Sequence, residues 1–525
     1  MRAHRVALFL CLLILTLLAG SACEPEPLSL QTPAQVSATP GRDLALELPI
    51  PSRESATPVP DTTPTPQPTE SGPAATQPEI SYRLSAELDW LARTVAVDQQ
   101  VDLRNTTEAP LREVVFTLDM NGNEETFRLE RVMTGAGLRL DNYTIEGTQL
   151  TVQLPQPLLP GGLLSLQLVF DLVVPRIRAG YRYGHMGYLG YSDRQVNLGN
   201  WFPLVAYYHP IRGWICPQPH TIGEQSVRPV ADFEVTLRVT NAPEVLKVAA
   251  PGRVTEEAGG WRFVLPRARE FTLSVSDRFE MLSTSTASGA VVELYYFPDS
   301  DRGLAAPRHA LVTAAQALAL FEQRFALPYV HGRLIVVEGD FPDGMEFSGL
   351  VFVSGDWFRA WLGIPNDWLT LITAHEVSHQ WWYSAVGNDQ GADPYLDEAL
   401  AIYSELLFFE RYYPEHVTWW WDFRVGAYSP SGFVDAPVYD FHSPRPYINA
   451  VYLQGARMLQ ALRDDLGDAA FFAWLQRYAT QMHGQVATPD DFWGALSSDE
   501  YAATSETRAR FLRNVNVLAR SADLP

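Results

Sequence analysis

Cysteine is scarce: Cys11, Cys23 and Cys216 are the only three in 525 residues. That excludes a disulfide framework and any thiolate metal cluster, so a metal centre in this chain must draw on His and carboxylates. Basic residues are also few, with 39 Lys and Arg against 61 Asp and Glu and a formal net charge of −22. No positive field is available to track phosphates, which excludes a nucleic-acid partner. Long hydrophobic runs are missing too. The apolar stretch from Val6 to Leu18 is too short to span a bilayer comfortably. Internal repeats are absent.

That short stretch is informative in another way. Arg2, His4 and Arg5 precede it, and Ala19-Gly20-Ser21-Ala22 follow, ahead of Cys23. A basic start, an apolar centre and small residues before a cut describe an export signal over residues 1–23. The end of it resembles a bacterial lipobox, which makes Cys23 the expected lipidation site. Gly20, where such motifs usually carry Leu, leaves ordinary cleavage near Ala22 as the alternative. The expected location is the outer face of the cytoplasmic membrane or the cell envelope, with membrane contact only through the lipid anchor. Residues 24–80 are rich in Pro, Thr and Ser and cannot bury enough apolar surface to order, so they read as a disordered linker.

The remainder is too long for one ordinary domain. Residues 81–285 carry alternating apolar segments: Leu150–Leu154, Leu163–Val174, Phe233–Val239 and Phe271–Val275. An all-β sandwich is expected there. From 286 to 525 the period moves toward 3.6. Helices are expected over Arg308–Phe325 with Pro307 at its start, Asn366–Ser384, Tyr395–Tyr413 and Asn449–Leu466, and one opened by Thr488-Pro489-Asp490-Asp491. Strands are expected at Arg333–Glu338 and Leu350–Val353. The fold class is thus multidomain, an N-terminal all-β sandwich followed by a mostly helical α+β domain.

Chemistry concentrates at His375-Glu376-Val377-Ser378-His379. A spacing of four on a helix puts both imidazoles on one face, where they can share a tetrahedral zinc, with Glu376 turned toward its water. Eighteen residues separate His379 from Glu398, at the start of another helix. An antiparallel return would complete a two-His, one-Glu site with an open fourth position. Glu405, two turns beyond Glu398, is a weak candidate to orient a ligand His, and a solvent-facing helical Glu is the bland alternative. The aromatic runs Trp381-Trp382-Tyr383 and Trp419-Trp420-Trp421 read as core packing.

The segment His375–Tyr403 resembles the zinc signature of the M1, or gluzincin, aminopeptidases. Three further pieces agree in order: Asp343-Gly344-Met345-Glu346-Phe347 resembles their G-x-M-E-N exopeptidase motif, Tyr452 in VYLQGARML their catalytic Tyr, and Asn197–Leu204 a segment of their N-terminal domain. The resemblance implies a thermolysin-like catalytic domain with one Zn2+ per chain on His375, His379 and Glu398. It also implies Glu376 as general base and then acid, and Tyr452 as donor to the oxyanion. Glu346 would hold the substrate's α-ammonium, and the backbone at Gly344 and Met345 would pair with an extended peptide. Peptides are the expected substrates, and no obligate protein partner is evident. Asp343 and Phe347 depart from the motif, and the chain ends soon after the catalytic region, without the long helical C-terminal domain of larger members. Two alternatives stay open: a zinc endopeptidase with an open cleft, and a non-catalytic peptide-binding surface lipoprotein.

Overall fold

The structure, a computed structural model, describes residues 77–122, 126–177, 187–298 and 303–514. The export signal, Cys23 and nearly all of the Pro/Thr/Ser-rich stretch lie outside the described residues.

The described chain opens on a strand at Glu79–Asp89, whose burial alternates residue by residue, as a sheet with one buried face requires. It pairs antiparallel with Thr94–Arg104 and parallel with Ala231–Thr240, at the centre of a seven-stranded sheet. A four-stranded sheet built on Leu111–Thr117 and Gln149–Leu158 shares its hydrophobic core through Val114, Phe116, Leu150 and Val152. Four short strands, among them Val196–Leu198 and Leu273–Ser276, form a further sheet. Among the described residues no helix longer than the single turn Asp119–Gly122 interrupts this β-rich part.

A five-stranded sheet follows, ordered Glu280–Ser285, Val291–Tyr296, Arg333–Gly339, Leu350–Ser354 and Gly344–Met345. Its three inner strands are parallel, and Arg333–Gly339 and Leu350–Ser354 are buried on both faces, which explains the apolar runs Leu334–Val337 and Leu350–Val353. Alternate side chains enter different cores. Ile335, Val337, Leu350 and Phe352 join the β-rich core, while Leu334, Val336, Val351 and Val353 join a helical one. The sheet is therefore a wall shared by both halves. The change of sequence period at 285/286 falls in the hairpin between its first two strands.

The helical half packs on the second face. Helix Ala305–Phe325 crosses between parallel strands and begins two residues before Pro307, so the proline lies in its first turn. Helix Trp368–Ser378 is buried all round, with the Asp367 carboxylate accepting from the Leu369 N–H at 3.0 Å. It stops six residues short of the expected Ser384. Trp381 and Trp382 seat themselves in the core with their indole N–H groups on the Leu327 carbonyl and the Ser404 hydroxyl, and Tyr383 takes φ +154°. Beyond the helix, the buried Arg269 guanidinium donates to the carbonyls of Tyr383, Ser384 and Ala385 in the turn that follows it. Helix Glu398–Tyr412 starts three residues later than expected, after a 3-10 turn at Pro394–Leu396, because Asp397 caps it by accepting from the Glu398 N–H. The expected helix Asn449–Leu466 divides into a wide π turn over Ile448–Leu453 and an α-helix Gln454–Leu466. Thr488 and Asp491 form a reciprocal capping box at the start of Pro489–Gly494.

Candidate active site

His375 and His379 lie at the last turn and cap of their helix, and Glu398 at the first turn of a neighbouring one. Their free atoms converge. His375 Nε2 is 3.3 Å from His379 Nε2 and 3.3 Å from Glu398 Oε2, and His379 Nε2 is 3.6 Å from the same oxygen. Three donors held about 2.0–2.1 Å from a zinc at tetrahedral angles lie roughly 3.3–3.4 Å apart, so this triangle fits the ion. The tautomers fit as well. His379 Nδ1 donates to the Trp382 carbonyl at 2.8 Å and His375 Nδ1 to Glu405 Oε1 at 3.0 Å, which leaves both Nε2 lone pairs facing Glu398. Glu398 Oε2 is buried and turned toward both Nε2 atoms, as a ligand oxygen would be.

Glu405 is fully buried rather than solvent-facing. Beyond His375 it accepts from Arg424 Nη2 at 2.8 Å, Arg424 Nε at 2.9 Å and Trp420 Nε1 at 3.1 Å. Although burial opposes its charge, Arg424 holds its carboxyl below the usual range. One member of the tryptophan run thus braces a site residue while packing in the core.

Burial disfavours a charge on His375, but hydrogen bonds to Glu398 and Glu405 outweigh it and raise the imidazole to about 10. His379, desolvated without comparable help, falls to about 4. Burial pushes Glu376 well up, and Glu398, Glu224 and Asp343 add to the rise. Its Oε2 is buried with no hydrogen-bond partner.

Gly344–Met345 pairs antiparallel with Val353 and Phe352 as the outermost strand of the five-stranded sheet. Glycine is required there: a Cβ on Gly344 would sit 2.2 Å from Glu376 Oε1. Asp343, just before it, has φ +60°, the left-handed conformation a glycine adopts without strain and aspartate tolerates. Phe347 is buried, edge-on to Tyr188 and Phe352, and so belongs to the core rather than the cleft. Glu346 is buried, with one oxygen within 4.8 Å of ligand atoms of Glu376 and His379. Tyr452 stacks parallel to His375 at 6.1 Å, and its hydroxyl reaches Glu398 and Tyr447. Every site residue expected from the sequence, Cys23 aside, therefore lies in or against one cleft of about 350 Å³.

The structure adds residues that the sequence did not single out. Glu224, from an irregular loop of the β-rich part, groups its carboxylate with Glu346 and Glu398 within 4.8 Å. Tyr447 stands edge-on to Tyr452. Gln390 touches Glu346 and Asp397. A cavity of about 660 Å³ opens beside Glu224, Met345 and Tyr188, with His442 on its lining. His416 lies elsewhere, on a half-exposed turn.

A sheet-bounded helical core thus presents two imidazoles, one carboxylate and an adjacent Glu, a set of groups able to hold a metal ion and to move a proton beside it. Residues 309–516 match the Peptidase family M1 domain. Human Endoplasmic reticulum aminopeptidase 2 is 25% identical over 296 residues, 51% of this chain and 30% of its own length. Human Endoplasmic reticulum aminopeptidase 1 is 29% identical over 238 residues, 43% of this chain and 25% of its own. The chain thus spans under a third of these curated relatives. Among solved structures, the M1 zinc metallopeptidase from Deinococcus radiodurans shares the fold with a TM-score of 0.60 at 21% identity, covering 83% of this chain and 94% of that one.

Proposed function

We propose that this chain is a zinc aminopeptidase that removes residues from the free N-terminus of peptides, through a thermolysin-like catalytic half. His375, His379 and Glu398 hold the ion, which supplies Lewis-acid activation of water and of the scissile carbonyl. Glu376 takes the water's proton and returns it to the leaving amine, a role suited to a buried carboxyl whose affinity for protons is raised. The Tyr452 hydroxyl donates to the developing oxyanion. Glu346 and Glu224 receive the α-ammonium, and the free edge of Gly344–Met345 aligns the peptide.

One observation carries the exopeptidase assignment. The Glu346 carboxylate lies within 4.8 Å of a His379 nitrogen. The α-nitrogen and carbonyl carbon of one residue are about 2.5 Å apart, by summing the two bonds at a tetrahedral angle. Only a single residue fits between an ammonium on Glu346 and a carbonyl at the ion. Buried carboxylates also demand cationic guests, and an ammonium supplies the charge the ion does not. The adjoining cavity of about 660 Å³ leaves room for the N-terminal side chain. Export and anchoring through Cys23 would place this activity outside the cytoplasmic membrane.

The test compares aminoacyl reporters with their N-acetylated forms, and wild type with Glu376→Gln. Turnover of free-amine substrates alone is expected, and its loss in the variant with zinc retained. Full activity in Glu376→Gln, or equal rates on blocked peptides, would overturn the assignment.

A further inference from the structure

Gln390 lies on the segment between the His375 helix and the Glu398 helix, and its side chain is almost fully buried. Nε2 donates to Glu346 Oε1 at 3.1 Å and to Asp397 Oδ2 at 3.0 Å, so both amide hydrogens are used. Oε1 accepts from the Ser226 hydroxyl, and the Gln390 backbone N–H donates to the Ser226 carbonyl at 3.1 Å. With a cation held in the cleft both carboxylates only accept, so this amide has one orientation. Each contact leads somewhere different. Glu346 belongs to the exopeptidase loop. Asp397 accepts from the Glu398 N–H at 2.8 Å and caps the helix that carries the metal ligand. Ser226 follows Glu224 by two residues, in the loop that brings that carboxylate into the cleft.

We infer that Gln390 is a positioning residue that sets where the substrate's α-ammonium sits relative to the metal ligands, by tying Glu346, the Glu398 helix cap and the Glu224 loop to one amide. The inference rests on the aminopeptidase assignment above. Two carboxylates that share one amide repel, and that neutral donor is what lets Glu346 face the cleft beside the buried Asp397. Without it Glu346 turns away from the ammonium position, while His375 and His379 keep their bonds to Glu405 and the Trp382 carbonyl, and Asp397 still accepts from the Glu398 N–H.

The test measures kcat, KM and zinc per chain for wild type, Gln390→Met and Ser226→Ala on an aminoacyl reporter and its acetylated form. Gln390→Met keeps the volume and removes the donors. Hydrogen bonds to charged groups of this kind correspond to about ten- to a hundredfold. KM for the free-amine substrate should rise by that factor, with kcat within about threefold and zinc unchanged. Ser226→Ala frees Oε1 and touches no metal ligand; it should raise KM by less, equally for reporters with small and large N-terminal side chains although Ser226 lines the adjoining cavity, and it serves if Gln390→Met does not fold. Unaltered KM in the variants overturns the inference, as does a joint fall of kcat and zinc content, which would mark Gln390 as general scaffolding. If wild type itself cleaves acetylated and free substrates equally, the aminopeptidase assignment falls first, which separates the two failures.

Discussion

Replacing Glu405 by Gln isolates the support beneath the metal ligands. Four N–H groups converge on this carboxylate: His375 Nδ1, Arg424 Nε and Nη2, and Trp420 Nε1. An amide of the same shape offers one acceptor oxygen and one NH2. Whichever way it turns, the NH2 faces two donors, one of them from Arg424. Arg424 is itself buried, and its guanidinium is bonded to Glu405 through both Nε and Nη2. Removing one partner of a buried pair commonly costs about 3–5 kcal/mol, because the remaining charge loses its compensation. His375 loses the acceptor that fixes its tautomer, and changes of that kind lower metal affinity about 10- to 100-fold. Chemical denaturation of the zinc-loaded protein should show the stability loss at unchanged m-value, and competition with a chelator of known affinity should show the weaker zinc. A variant within about 0.5 kcal/mol of wild type that held zinc equally well would refute the reasoning, since neither ion pair nor tautomer would then depend on the charge.

Two further outcomes follow. Gly344→Ala drives a methyl to 2.2 Å from Glu376 Oε1, so activity should fall at least tenfold while the unfolding midpoint moves little, checked by kinetics beside thermal melts. The metal-free His375 imidazole, raised to about 10, is protonated at pH 8, whereas His379 at about 4 is not. Zinc binding at pH 8 should therefore release close to one proton from the ligands. Calorimetry in buffers of differing ionisation enthalpy should measure it, and a release near zero would contradict the raised value.

What could be read from the sequence was what short-range periodicity and chain spacing encode. His375 and His379 share a face because they are four apart, and Glu398 arrives by a short antiparallel return. The helix start at Thr488 and the buried fate of Trp381 and Trp382 were legible for similarly local reasons. Glu224, Gln390 and Arg424 were not. Each is an ordinary polar residue in its own neighbourhood, and only the tertiary fold brings it to the cleft. Helix ends failed for the same cause. The His375 helix stops at Ser378, and Arg269, from the β-rich part, holds the carbonyls of Tyr383, Ser384 and Ala385 in the turn beyond it, which no local residue announces. Asp343 is instructive: in the sequence it is a departure from a glycine, and in the structure it occupies the left-handed conformation that explains why a glycine is usual there.

The five-stranded wall has a consequence for how this molecule can be taken apart. Because Ile335, Val337, Leu350 and Phe352 complete one core and Leu334, Val336, Val351 and Val353 the other, neither half owns the sheet. Cutting the gene at the change of sequence period would separate paired strands and leave a naked apolar face on each fragment. The two halves are an inseparable inheritance, able to diverge in their loops but bound to change together along that sheet.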